Sequence, residues 1–279
     1  MVTFLFWNLN RKVLTEEVAQ LCADRLIDVV VLAECDSAPE QYRDAINNVT
    51  GREFHLTESR LSRLQLLTAL GRESFRECYV NASGKLSLRR MVFSEMELLL
   101  ALVHLKSEMW WERKELSIEA YSVAGELRNE VFSRKNGNTC VVGDFNLQPF
   151  EDGMTAATGF HAMMAQSCLE QEFREVQGRL YRPMYNPMWG CFGDRTPGPS
   201  GTFFRKDASP ICFDWHVFDQ VLYSRPILPY LANHGEIVDR IGGVDLLGGS
   251  NRPQKQFSDH LPILFSLTLT RPVQVGVQT

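Results

Sequence analysis

Thr139-Cys140-Val141-Val142-Gly143-Asp144-Phe145-Asn146-Leu147-Gln148-Pro149 decides how the chain is read. Cys140, Val141 and Val142 form a short apolar run of the kind that buries as a central strand, and Gly143 releases the backbone just before two polar residues. Successive strand residues point to opposite faces, so Asp144 and Asn146 are expected to share a face, with Phe145 as an anchor on the other. An acceptor and a donor then stand together at the end of a rigid element. One such pair is ordinary, because strand ends are solvated; its meaning depends on how the other strands end.

They end in the same way. Thr3 to Leu9, rich in β-branched and aromatic residues, brings Asn8 and Asn10 to one face, and the apolar run Ile27 to Ala33 stops at Glu34. Leu98–Leu105 is apolar except for His104 at its end. Asp219 interrupts the apolar run of Trp215–Tyr223, and Asp259 and His260 precede a final strand at Leu261–Leu269. Further strands are expected at Glu53–Leu56, Leu64–Leu70, Cys78–Val80, Leu86–Phe93, Thr202–Arg205 and Glu236–Ile241. Helical spacing predicts amphipathic helices over Thr15–Leu26, with Thr15 as N-cap, over Ser107–Arg134 and over Ala156–Gln177. Residues 182–201 form a Pro- and Gly-rich loop.

The chain has 279 residues, 44% hydrophobic and 23% charged, the mix of a soluble globular protein. Its net charge of −5 excludes the broad basic footprint of non-specific duplex binding and leaves room for a local basic groove. Seven widely spaced cysteines without a Cys-x-x-Cys pattern fit reduced thiols in a cytoplasmic protein. The opening residues carry no basic leader, and their apolar run is too short for a signal core or a membrane span, so no membrane partner is expected. With no repeat and no linker, one domain is expected over 1–272, followed by a flexible tail at 273–279.

If these strands converge, Asn8, Glu34 and Asp259 supply hard oxygen ligands for Mg²⁺ or Mn²⁺, Asp144 can orient or deprotonate water, and imidazoles can contact a phosphate. Phosphoryl chemistry needs that inventory. Charge developing at phosphorus must be neutralised by cations and donors, while an attacking water must lose a proton to a positioned base.

Trp7-Asn8-Leu9-Asn10, Leu32-Ala33-Glu34, Val103-His104-Leu105-Lys106-Ser107, Gly143-Asp144-Phe145-Asn146, Phe218-Asp219-Gln220-Val221-Leu222 and Ser258-Asp259-His260-Leu261-Pro262 follow one another in a telling order. In these motifs, spanning residues 7–262, the chain resembles the endonuclease/exonuclease/phosphatase superfamily. The resemblance implies an α/β fold, a four-layer sandwich with two face-to-face mixed β-sheets flanked by helices. It implies Glu34 as the principal metal ligand with Asn8 and Asp259 close by, Asp144 aligning water, and Asn146 donating to the scissile phosphate. It further implies His260 contacting phosphate, oriented by Asp219, and His104 near the leaving group, which leans toward the deoxyribonuclease-like branch. Asn10 stands where repair nucleases carry an aspartate, and His104 lacks an evident acidic partner, with Gln65 the nearest fit and Glu58 the next.

The activity so implied is that of a metal-dependent phosphodiester hydrolase, a nuclease acting on DNA or RNA. A phosphatase or phosphodiesterase of a small phosphorylated metabolite or nucleotide is the alternative, and a catalytically inactive binding module on the same fold is the second. Substrate contacts are expected from Asn10, Arg60, Arg63, Lys106 and Arg205, with Trp189 stacking on unpaired bases.

Overall fold

The computed structural model describes residues 1–57, 59–60, 63–107, 113–206 and 212–270. β1 (Val2–Asn8) and β2 (Val29–Ala33) run parallel, joined by α1 (Thr15–Asp24). Then follow α2 (Pro39–Thr50), β3 (His55–Leu56) and β4 (Leu64–Thr68). The antiparallel meander β5 (Phe75–Val80), β6 (Leu86–Val92) and β7 (Glu97–His104) leads through α3 (Arg113–Ser133) to β8 (Thr139–Asp144), parallel to β7. After α4 (Asp152–Thr155) come β9 (Ala162–Met163), β10 (Met184–Tyr185), β11 (Asp219–Ser224), β12 (Leu231–Ile237) and β13 (Ile263–Leu267). One sheet has the order β12-β13-β1-β2-β4-β3 and the other β5-β6-β7-β8-β11-β10-β9.

Both sheets are mixed, and alternation assigns every central strand two apolar faces. In β1, Phe4 and Phe6 enter the core between the sheets, while Leu5 and Trp7 pack outward with Val18, Leu21 and Cys22 of α1 and Tyr42 and Ile46 of α2. In β7, Leu98, Leu100 and Leu102 face inward, while Leu99, Ala101 and Val103 pack outward with Leu116, Ala120 and Leu127 of α3. A strand buried on both sides needs a continuous apolar run, which explains why β2, β7 and β8 contain so few polar residues. The layers are helix, sheet, sheet, helix: the four-layer α/β sandwich.

Several elements differ from the periodicity reading. The helix expected over Ala156–Gln177 does not form. Gly159 lies so near the Gly153 carbonyl that a Cβ would come within 2.2 Å of it, and His161 adopts a left-handed φ of 52°. The end of that stretch is instead a hairpin, Arg174–Val176 with Arg179–Tyr181, turned by Gln177 and Gly178 at φ 52° and 74°. α2 was hidden because it buries only Tyr42 and Ile46, although Pro39 at its first turn and Gly51 in the left-handed C-cap are boundary signals. Thr15 is the first helical residue of α1; Leu14 holds the N-cap position, and no side chain caps it. The run Trp215–Tyr223 divides, with Trp215–His216 pairing to Phe203–Phe204 and β11 starting at Asp219. The tail at 273–279 lies outside the described residues. Among the described residues, no helix is long and apolar enough to cross a membrane.

Candidate active site

The inner-face alternation that builds the core also builds the site. Phe4 and Phe6 are followed on the same face by Asn8; Leu98, Leu100 and Leu102 by His104; Cys140 and Val142 by Asp144; and Tyr223 and Val221, read backwards along β11, by Asp219. Each polar group thus holds the next inward position beyond the inter-sheet core. Register aligns three of them, because His104 lies opposite Asp144 on β7 and β8, and Asp144 opposite Asp219 on β8 and β11.

Gly143 is required for this alignment, though not as a turn residue. A Cβ there would sit 1.8 Å from the Val103 carbonyl oxygen, so glycine allows β8 to lie close against β7. Asn146 lies beyond the strand, in a left-handed turn at φ 49°, so its position comes from that turn and not from strand alternation. Its backbone N–H donates to Asp144 Oδ1 at 3.0 Å, and its side-chain Nδ2 donates to the Leu105 carbonyl at 3.1 Å. Phe145 anchors the outer face, edge-on to Phe160 at 5.0 Å.

A cavity of 480 Å³ gathers Asn8, Glu34, Asp144, Asn146, Asp259 and His260. Asn10 and Arg205 also line it, as do Arg11, Ser107, Phe203 and Phe218. Asn8 Nδ2 donates to Asp144 Oδ2 at 3.0 Å, so Asp144, with 1% exposure, receives a donor on each oxygen and is held in one orientation. Asn8 Oδ1 accepts the Asn10 N–H at 3.0 Å, and Asn10 Nδ2 donates to Asp259 Oδ1 at 2.8 Å. Asn10 therefore clamps the end of β1 to the Asp259 loop. Ser258 and Trp7 brace the same loop, through Oγ to the Asn8 carbonyl at 2.7 Å and Nε1 to the His260 carbonyl at 2.9 Å.

His260 Nδ1 lies 2.8 Å from Asp219 Oδ2 in a buried contact. Burial opposes the charged imidazole, but Asp219, with Asp144 and Asp259 nearby, outweighs it and raises the pKa to about 10. Asp219 is itself fixed through its backbone N–H, which donates to Thr202 Oγ1 at 3.0 Å. Thr202 carried no functional signal in the sequence, being one hydroxyl at the start of an expected strand; nor did Arg11, which reaches the cavity wall because Asn10 and Arg11 both take left-handed φ angles.

The acidic partner of His104 is Glu34. His104 Nε2 lies 3.4 Å from Glu34 Oε1 and 3.9 Å from Asp144 Oδ2, and its buried Nδ1 has no hydrogen-bond partner among the described residues. Gln65 instead donates to the Cys35 and Ser37 carbonyls, and Glu58 lies outside the described residues. The His104 contact is the largest influence on Glu34, whose pKa is brought down to about 2. Glu34 is therefore anionic under ordinary conditions, and it projects into the cavity from a left-handed residue at φ 49°.

Arg60, Arg63 and Lys106 line a separate cavity of 340 Å³ together with His104. Trp189 is not brought to either cavity: the 3-10 turn Pro187–Cys191 packs it against Phe150 and Phe192, at 6.3 and 6.2 Å. A further cavity of 270 Å³ against α3 is lined by apolar side chains such as Leu127, Phe160 and Met184 and holds none of these groups.

The donor set fits a hard divalent cation. Glu34, Asp259 and the Asn8 amide border one cavity, with no thiolate among them. The tighter cluster of Asp144, Asp219 and His260, with ligand atoms within 4.8 Å, fits a cation less well, because Asp219 Oδ2 is already committed to the imidazole.

No protein-family model matches the sequence, and no curated protein matches it. Its fold does match solved structures. D. rerio TDP2 complexed with single strand DNA product aligns with a TM-score of 0.54 at 15% identity, over 95% of this chain and 98% of that one. The human Nocturnin catalytic domain with bound sulfate anion aligns with 0.55 at 16% identity, over 96% and 94%. The endonuclease domain of TRAS1, a telomere-specific non-LTR retrotransposon, aligns with 0.50 at 12% identity, over 96% and 98%. These proteins are members of the endonuclease/exonuclease/phosphatase superfamily, and the chain has that superfamily's fold.

Proposed function

We propose that the chain is a divalent-metal-dependent phosphodiester hydrolase acting on nucleic acid. The observation that carries this is the convergence of Asn8, Glu34, Asp144, Asn146, Asp259 and His260 on one cavity, with His104 and Asp219 in contact with its walls. Fold relatives that include an endonuclease domain and a protein complexed with single strand DNA product support the choice of substrate. Seven free cysteines support a reducing, cytoplasmic setting.

Glu34, Asp259 and Asn8 would hold Mg²⁺ or Mn²⁺, which when bound supplies positive charge against the phosphate oxygens. Asp144, oriented by Asn8 and the Asn146 N–H, acts as the base that takes a proton from water. His260 commits Nδ1 to Asp219, so its protonated ring offers Nε2–H to a non-bridging oxygen. Asn146 keeps one amide hydrogen for the same phosphate, since Leu105 takes the other. His104, held between Glu34 and Asp144, stands over the departing oxygen.

The test incubates the protein and Mn²⁺ with single-stranded and duplex DNA, single-stranded RNA, and a panel of inositol and nucleotide phosphates, with Asp144→Asn as the blank. Cleavage of nucleic acid, lost on chelation and restored by Mn²⁺ or Mg²⁺, is expected. Turnover confined to the small phosphates would replace the nuclease with a metabolite phosphatase. Full activity in excess chelator would remove the metal. Glu34→Gln should leave the fold intact and weaken Mn²⁺ binding measured by calorimetry.

A further inference from the structure

The 340 Å³ cavity on the far side of His104 is walled by Arg60, Arg63, Lys85 and Lys106, with Ser83 and Gly84 at the hairpin tip. Three of these cations are tied through the backbone to Glu34 or to its partner His104. The Arg63 carbonyl accepts the Glu34 N–H at 3.2 Å, the Lys85 carbonyl accepts the His104 N–H at 3.1 Å, and Lys106 follows His104 by two positions. Any group held in this pocket is thereby placed in fixed relation to Glu34 and His104.

Glu119 pairs with the Lys85 ammonium and accepts the Lys106 N–H at 2.9 Å. Glu77 lies 3.9 Å from Arg60, but its charge is already met by buried Arg89 at 2.8 Å. Four basic side chains thus crowd one concavity beside the site. The Lys85 ammonium registers the crowding: burial first, then Lys106 and Arg63, bring its pKa below the usual lysine value. A concave site with crowded cations, two of them arginines able to grip an oxyanion by paired N–H groups, suits a phosphate.

We propose that this pocket is an anion subsite that takes the phosphate next in line on the His104 side of the scissile one, so that the preferred substrate carries at least two phosphates. This rests on the phosphodiester-hydrolase reading. Two sources share that chemistry, the following internucleotide phosphate of a strand and the terminal phosphate of a small nucleotide. The pocket also locates positive charge where the chain's net charge of −5 does not.

The test compares the dinucleotide TpT, whose single phosphate is scissile, with pTpT, TpTp and TpTpT. One of the two terminally phosphorylated dinucleotides should exceed TpT in kcat/KM by about tenfold or more, the scale of a charge-assisted phosphate contact. In Arg63→Met/Lys106→Met that ratio should fall toward one, and the ratio is the readout whatever happens to the absolute rate. An equal gain with TpTpT assigns the subsite to strand phosphates; a gain confined to the terminal phosphate assigns it to small bisphosphorylated nucleotides. Equal kcat/KM for TpT, pTpT and TpTp in the wild type, or an unchanged ratio in the double variant, overturns the subsite while leaving the hydrolase intact. If no dinucleotide turns over, affinity for TpTp, pTpT and TpT is measured by calorimetry on Asp144→Asn. A preference for the extra phosphate that disappears with Arg63→Met upholds the subsite whether or not the hydrolase reading stands, and equal affinities overturn it.

Discussion

Gly143→Ala tests the packing that sets the site. The added methyl would stand 1.8 Å from the Val103 carbonyl oxygen and 2.9 Å from the Val103 nitrogen, both rigid backbone atoms of the neighbouring strand. Restoring even a 3.4 Å contact requires β8 to retreat from β7 by more than 1 Å, breaking the ladder where Val103 pairs with Gly143 and His104 with Asp144. Overpacking of this kind costs on the order of 3 kcal/mol. For a chain of this size that corresponds to a fall in Tm of roughly 6–12 °C. The displacement is passed directly to Asp144, and a misplacement of about 1 Å can cost about a hundredfold in rate. Thermal unfolding by circular dichroism and turnover at a temperature where the variant is folded measure the two effects. Gly243→Ala, with nothing within 4 Å of the new Cβ, is the matched control and should change neither. A Gly143→Ala protein with a Tm within 2 °C of wild type (roughly 1 kcal/mol) and undiminished turnover would refute this account of how β7 and β8 position the site.

Asp144→Asn and His260→Ala are each expected to lower kcat by at least about a hundredfold in steady-state assays without unfolding the protein, with Asp219→Asn milder than loss of His260. Arg89, 1% exposed and paired with Glu77 at 2.8 Å, should be costly to remove: Arg89→Met strands a buried carboxylate and is expected to destabilise by about 3–5 kcal/mol in urea unfolding, with Glu77→Gln added to it recovering part of the loss. His161 is pushed down from the ordinary 6.5 to about 4, by burial first and then by Arg174 and Arg128. The unfolded chain therefore binds this proton more readily, so stability is complete above pH 6.5 and declines as pH falls toward 4. His161→Gln should flatten that part of a Tm-against-pH curve relative to wild type, and parallel curves would contradict the assignment.

The sequence by itself determined the strands and the polar groups at their ends. β1, β2, β7 and β8 are apolar on both faces, and a run that apolar is legible without a partner because burial on both sides demands it. Asn8, Glu34, His104 and Asp144 could be picked out for the same reason, as polar groups where such runs stop. Weakly apolar α2 and the irregular stretch at 156–177 were not legible, since a helix that buries two side chains leaves little periodicity and a left-handed His161 leaves none. Pairings across distant segments were decided only by tertiary structure. Glu34 meets His104 because two different sheets present their inner faces to each other, and no local spacing encodes that approach. Asn10 could be named as a polar neighbour of the metal ligands, but its clamp onto Asp259, 249 positions away, depends on the register of β1 against the loop before β13. The same holds for Arg63, Lys85 and Lys106, which are scattered surface charges in the sequence. Their common pocket exists because backbone hydrogen bonds tie Arg63 to Glu34 and Lys85 to His104.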